Sequence, residues 1–174
     1  GYGGFLLHDL RRGPDGTPDP AFPLNRPEAA GARVLIARRN FGAGSSREAA
    51  VYALVDAGFR AVLAPSFGDI FAGNAVNNGL LPARLDPAVI EALLAEAPMP
   101  VSIDLEAGTI VAGARRLPLE IDPVWRIKLM RGWDDIDLTA AHADRIARHA
   151  EALQARAPWV WPTDRQGAGR DGRA

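Results

Sequence analysis

A glycine-rich stretch, Asn40-Phe41-Gly42-Ala43-Gly44-Ser45-Ser46-Arg47-Glu48, separates a short apolar run from a helix-forming one and constrains how both can be arranged. The run before it, Val34-Leu35-Ile36-Ala37, is bounded by arginines and reads as a buried strand. The run after it, Ala49 to Ala57, reads as a helix closed by Gly58 just past its end. Ser45 and Glu48 have the S-x-x-E spacing of a capping box, which predicts a helix start near Ser46. A helix N-terminus attracts anions, and Arg47 adds a planar charged fork that matches a carboxylate or phosphate. The turn therefore suits an anion. The same features also serve an ordinary strand-to-helix connection, in which a serine cap is worth ~1 kcal/mol. Two nucleotide-binding patterns fail. The dinucleotide fingerprint needs a glycine where Arg47 stands, and the phosphate loop needs Gly-Lys-Ser/Thr, which is absent.

The rest of the chain continues the alternation. Residues Gly1 to Pro27 read as an irregular segment from which Tyr2, Phe5, Leu6, Leu7 and Leu10 pack onto the body, with His8 as a surface or packing residue. Ala61 to Ala64 is a second buried strand. Ser66 and Asp69 predict the cap of a second helix ending near Asn78-Gly79. Leu80 to Leu85 reads as a strand, and Pro82 argues for a sheet edge or for a place among the strand's first residues. Asp86-Pro87 opens a third helix through Glu96. Then Val101 to Leu105 and Thr109 to Val111 flank Glu106-Ala107-Gly108, a hairpin signal, and Arg116 to Ile121 adds an extended run. Asp122-Pro123 begins a helix to about Arg131. Thr139 is expected to cap a longer one, Ala140 to Ala155, with Ile146, His149, Ala150 and Leu153 on one face. His142 and His149 on it read as a surface or partly buried pair. Residues Pro162 to Ala174 lack periodicity and are expected to be disordered. Strand–helix alternation followed by a hairpin predicts an α/β domain with a mostly parallel core sheet and an added antiparallel part.

Composition narrows the functional classes. With 174 residues the chain suffices for one domain with a sizeable core. A net charge of -1 points to neither nucleic acid nor an anionic membrane surface. No apolar run reaches the length of a bilayer span, and no signal-peptide pattern stands at the start, so the expected location is cytoplasmic. The absence of cysteine excludes disulfides and cysteine-held iron–sulfur or zinc sites in this chain.

Three motifs in order carry a resemblance: Asn40 to Glu48, then Ala64-Pro65-Ser66-Phe67-Gly68-Asp69-Ile70-Phe71, then Asn77-Asn78-Gly79-Leu80-Leu81-Pro82. Together they resemble the small subunits of 3-isopropylmalate dehydratase, the counterpart of the mobile swivel domain of the aconitase superfamily. Ala21-Phe22-Pro23-Leu24-Asn25 and Arg131-Gly132-Trp133-Asp134-Asp135-Ile136 extend it, so that it covers most of the chain to about Pro158. Two positions depart from the family pattern: Ala43 stands where cysteine is frequent, and Ala49 where histidine is usual.

The resemblance implies a swivelling β/β/α three-layer domain over residues 1–161, truncated at its N-terminus relative to the family, which has a strand and a substrate-recognition loop before this point. It implies that Ser45 is the catalytic base and that Arg47 binds a substrate carboxylate, with Gly44 and Ser46 as neighbouring anion contacts. Ser66 to Phe71 and Asn74 to Leu81 are expected to be structural. The implied partner is an aconitase-like large subunit carrying a 4Fe-4S cluster, in a heterodimer or heterotetramer. The implied activity is a hydro-lyase that interconverts 2- and 3-isopropylmalate in leucine biosynthesis. Related dehydratases of citramalate, dimethylmalate or homoaconitate type, and a non-catalytic partner or anion-binding module, are the alternatives.

Overall fold

The computed structural model describes residues 1–161; the tail expected at 162–174 lies outside the described residues. Contacts divide the chain into two compact units, Gly1–Asp135 and the residues from Ile136 onward.

The first unit opens with short 3-10 turns and one turn of helix, α1 (His8–Arg11). Of the five apolar residues expected to pack inward here, Leu6 is buried and Leu7 packs partly against the core, whereas Phe5 and Leu10 stay exposed. Tyr2 is half exposed, with its ring 5.7 Å from that of Tyr52. A segment this rich in Gly and Pro makes only single turns, so it buries one side chain where a longer helix would bury a stripe.

Three strands, β1 (Val34–Ile36), β2 (Ala61–Ala64) and β3 (Leu81–Arg84), form a parallel sheet in the order β1-β2-β3. The crossovers are α2 (Ala49–Asp56) and α3 (Asp69–Asn77), and α4 (Pro87–Glu96) follows β3. Central β2 has all four residues buried, as a strand covered on both faces should. Its side chains alternate between two cores. Val62 and Ala64 join Val51, Leu54, Phe71 and Leu80 on one side, while Ala61 and Leu63 join Ile90, Leu93 and Ile110 on the other. Pro82 pairs with Val62 from the edge strand, where its missing N–H leaves no inner ladder position empty. Gly58, φ +102, ends α2 in the left-handed region, and Asp86 caps α4 by accepting the Ala88 N–H at 2.8 Å.

The expected hairpin belongs to a three-stranded antiparallel sheet, β4 (Val101–Asp104), β5 (Thr109–Ala112) and β6 (Arg115–Pro118). Ile110 and Ala112 of β5 enter the second core beside Ile90 and Leu93 of α4. The architecture is thus mixed α/β: α2 and α3 on one face of the parallel sheet, with the antiparallel sheet and α4 on the other. Helix α5 (Pro123–Arg131) follows, capped by Asp122, which accepts N–H bonds from Val124 and Trp125.

Beyond α5 the chain forms α6 (Asp135–Ala140), then α7 (Ala143–Arg156) and a 3-10 turn, Pro158–Val160. Thr139 was expected to cap a single helix from Ala140. It lies inside α6 instead, and α7 starts after His142. On α7, Ala150 and Leu153 are half-buried, whereas Ile146 and His149 are exposed. No helix among the described residues is long and apolar enough to cross a membrane.

Candidate functional site

Strand β1 delivers the glycine-rich turn to the carboxyl edge of the parallel sheet, where open α/β sheets gather their ligand-binding loops. Two residues set its path. Asn40 adopts φ 60, a left-handed conformation that asparagine tolerates better than most residues. Its N–H donates to Ser66 Oγ at 2.8 Å, and the Ser66 hydroxyl donates to Asn40 Oδ1 at 3.1 Å. Gly42 has φ +79, and a Cβ there would stand 2.2 Å from Phe71 Cγ.

The turn is laced to the loop between β2 and α3. The Phe41 N–H donates to Ser66 O at 3.0 Å, and the Gly68 N–H donates to Phe41 O at 2.9 Å, forming a parallel bridge between Phe41 and Phe67. Below it, Phe41 meets Phe71 edge-on with ring centroids 5.3 Å apart, and Phe67 stacks on Phe71 at 6.2 Å. Such ring pairs add about 0.5–1.5 kcal/mol beyond area burial. The first two motifs of the sequence are therefore one packed unit.

The capping box predicted for Ser45 and Glu48 does not form. Helix α2 begins at Ala49 with Glu48 as its N-cap and no side-chain cap bond, so Ser45 lies four residues ahead of the helix. Its Oγ instead accepts the Arg47 N–H, two residues on, at 3.2 Å. Glu48 faces elsewhere, accepting from Asn78 Nδ2 at 2.7 Å. Ser66 is likewise no helix cap: α3 starts at Asp69 with Gly68 as N-cap, and the Ser66 hydroxyl is committed to Asn40.

Ser45 is half-buried, while Gly44, Ser46 and Arg47 are exposed on the same turn. A Cβ on Gly44 would meet nothing within 4 Å. Among the described residues no carboxylate lies within ion-pairing distance of Arg47. Nor do the N–H groups of Gly44, Ser46 and Glu48 donate to any protein acceptor among them. Unpaired donors beside an unpaired guanidinium can bind an anion without first breaking internal bonds. Ala43 is exposed and packed against Gly68, and Ala49 is half-buried.

A second cluster has no counterpart in the sequence reading. Lys128, the buried charged residue of α5, donates through Nζ to Asn77 Oδ1 and, at 2.6 Å, to Asp135 Oδ1. Asn77 Nδ2 also donates to Asp135 Oδ2 at 3.2 Å. Bonding to Lys128, then to Asn77, holds the Asp135 carboxyl below its ordinary pKa. Lys128 stands three residues beyond Trp125, which packs against the first core, so helical spacing could have marked it as inward-facing. Among the described residues, no group of three or more His, Cys, Asp or Glu could hold a metal ion.

The profile of the aconitase C-terminal domain family matches residues 8–88. The 3-isopropylmalate dehydratase small subunit of Geobacillus kaustophilus (strain HTA426) is 47% identical over 154 residues, which is 86% of this chain and 78% of the relative. That of Shouchella clausii (strain KSM-K16) is 45% identical over 152 residues, 86% of this chain and 77% of the relative. A crystal structure of 3-isopropylmalate dehydratase from Methanocaldococcus jannaschii is 32% identical, with a TM-score of 0.54 over 77% of each chain.

Proposed function

This chain belongs to the family of 3-isopropylmalate dehydratase small subunits, and on that premise we propose that the turn Gly44–Arg47 is its contribution to the reaction site. The chain is a subunit of a hydro-lyase, which interconverts 2- and 3-isopropylmalate by removing and returning water, a step of leucine biosynthesis. As a small subunit it acts with a large one.

The observation that carries the proposal is the exposed Arg47, without a carboxylate partner among the described residues, whose backbone N–H donates to the half-buried Ser45 hydroxyl. Removing water from a hydroxy diacid needs a base for the proton on the carbon next to the departing hydroxyl, and cations for the carboxylates. In this reading Ser45 Oγ takes that proton. A neutral serine hydroxyl is a weak base, so Oγ must act as the alkoxide, which becomes the hydroxyl on taking the proton, and that alkoxide needs donors already in place. The Arg47 N–H on Oγ, the unpaired neighbouring N–H groups and the guanidinium charge supply them. Arg47 fixes one carboxylate through two parallel N–H bonds, while Gly44 and Ser46 add anion contacts. Phe41, Phe67 and Phe71 give the turn a rigid base.

The same reading makes the large subunit aconitase-like, with a 4Fe-4S cluster as the Lewis acid for the departing hydroxyl. This chain's own residues do not fit such a cluster, since it has no cysteine. The reading further takes residues 1–161 as the swivel domain of a heterodimer or heterotetramer working in the cytoplasm.

Co-expression with the large subunit and assay on isopropylmalate tests the proposal through Ser45→Ala. Turnover should fall by about 100-fold or more, with KM within a few-fold of the parent, as expected when a proton-transfer group is lost. The thermal midpoint should drop by no more than about 2–4 °C, since a single local bond is removed. Near-normal turnover would take Ser45 out of the chemistry.

A further inference from the structure

Glu48 directly follows Arg47, and both side chains are exposed, so the chain carries a carboxylate of its own next in sequence to the guanidinium. That carboxylate is engaged elsewhere. Glu48 Oε1 accepts from Asn78 Nδ2 at 2.7 Å. Desolvation, and after it the nearby Glu48 carboxylate, raises the Tyr52 pKa.

Asn78 is itself well held. It is the C-cap of α3, with its N–H on Asn74 O and Ala75 O at 3.2 and 3.1 Å. Its Nδ2 donates to Asn74 O at 2.9 Å as well as to Glu48, so both amide hydrogens are used. The preceding residue, Asn77, is fixed by the buried Lys128 and by Asp135. A donor anchored on both sides gives up little freedom in binding Glu48.

We propose that Asn78 is a positioning residue which keeps the Glu48 carboxylate away from Arg47 and so leaves the guanidinium open to a substrate carboxylate. The inference rests on the reading of Arg47 given above. It gives a site role to a motif, Asn77-Asn78-Gly79, otherwise accounted for by the exit of α3. A neutral donor suits this task, because it holds the carboxylate without adding a second cation to compete for substrate.

The test is a double-mutant cycle in the assembled two-subunit enzyme, assayed on isopropylmalate. In the parent background Asn78→Ala frees Glu48 to pair with Arg47. KM should then rise about five- to tenfold, the scale of one ion pair near water, with kcat within about twofold. In the Glu48→Gln background the same Asn78→Ala change should move KM by less than about twofold, since no charge remains to compete. Asn78→Leu keeps a similar volume and removes the donor without adding charge, so it should raise KM to the same extent in the parent background and by less than about twofold in the Glu48→Gln background. Equal losses in both backgrounds would overturn the proposal and make Asn78 a plain helix cap. So would an unchanged KM in Asn78→Ala alongside a large loss in Arg47→Ala, which would leave the reading of Arg47 standing. A silent Arg47→Ala would remove both the reading and the inference built on it.

Discussion

Ser66 and Asn40 hold each other in both directions: the Asn40 N–H donates to Ser66 Oγ at 2.8 Å, and the Ser66 hydroxyl donates to Asn40 Oδ1 at 3.1 Å. Twenty-six residues apart in sequence, they clamp the turn after β1 to the loop after β2. The clamp fixes Asn40 at φ 60, a left-handed conformation that asparagine adopts at less cost than most side chains.

Ser66→Ala should therefore weaken the turn's seat while leaving the sheet intact. The loss of two bonds, one of them to a backbone donor, is expected to cost ~1–3 kcal/mol. Thermal unfolding of the isolated chain should shift down by several degrees, and turnover of the complex should fall with it. An unchanged melting curve would mean that the backbone bridge from Phe41 to Ser66 and Gly68 suffices without the hydroxyl.

That serine also marks the limit of what the sequence discloses. Strand and helix runs were legible because their burial pattern is periodic, and Asp86 and Asp122 cap the helices their spacing announced. Pro82 likewise stands on an edge strand. Ser45 and Ser66 were misread as caps, since a serine near a helix start has several nearby acceptors and donors of similar energy. Tertiary contacts decide among them. Here Ser66 turns to Asn40 and Glu48 to Asn78, partners 26 and 30 residues away that no local spacing reveals. The cluster Lys128–Asn77–Asp135 escaped for the same reason, joining α3 to the end of α5 across 51 residues. The place of the turn after β1 was legible because its glycines are contiguous.

Gly42 tests the packing beneath the turn. A methyl group added there meets Phe71 Cγ at 2.2 Å, far inside contact distance, and φ +79 disfavours any L side chain. Overpacking at ~1–3 kcal/mol and backbone strain at ~1–2 kcal/mol should add, because Phe71 is buried and cannot swing aside. Gly42→Ala should thus lower stability to denaturant by ~2–5 kcal/mol in urea titration. Gly44→Ala, two residues on, should cost much less, since open space surrounds it. Equal costs at the two positions would contradict the packing described here.

Arg47→Lys separates charge from geometry. Lysine keeps the positive charge on a flexible stem but loses the fork that presents two parallel N–H bonds to one carboxylate. If Arg47 clamps the substrate, the lysine enzyme should bind it more loosely and also misplace the carbon that faces Ser45. Both KM and kcat should then suffer, with kcat/KM down by about 100-fold, because displacement by an ångström is costly in such sites. Stability should hardly change. Arg47 is exposed, and among the described residues no carboxylate pairs with it, so the fold loses at most ~1 kcal/mol. Kinetics of the two-subunit enzyme, read beside the thermal midpoint of the isolated chain, distinguishes the outcomes. A kinetic loss with an unmoved midpoint assigns Arg47 to substrate, whereas a lysine variant as active as the parent would reduce it to a solvated charge.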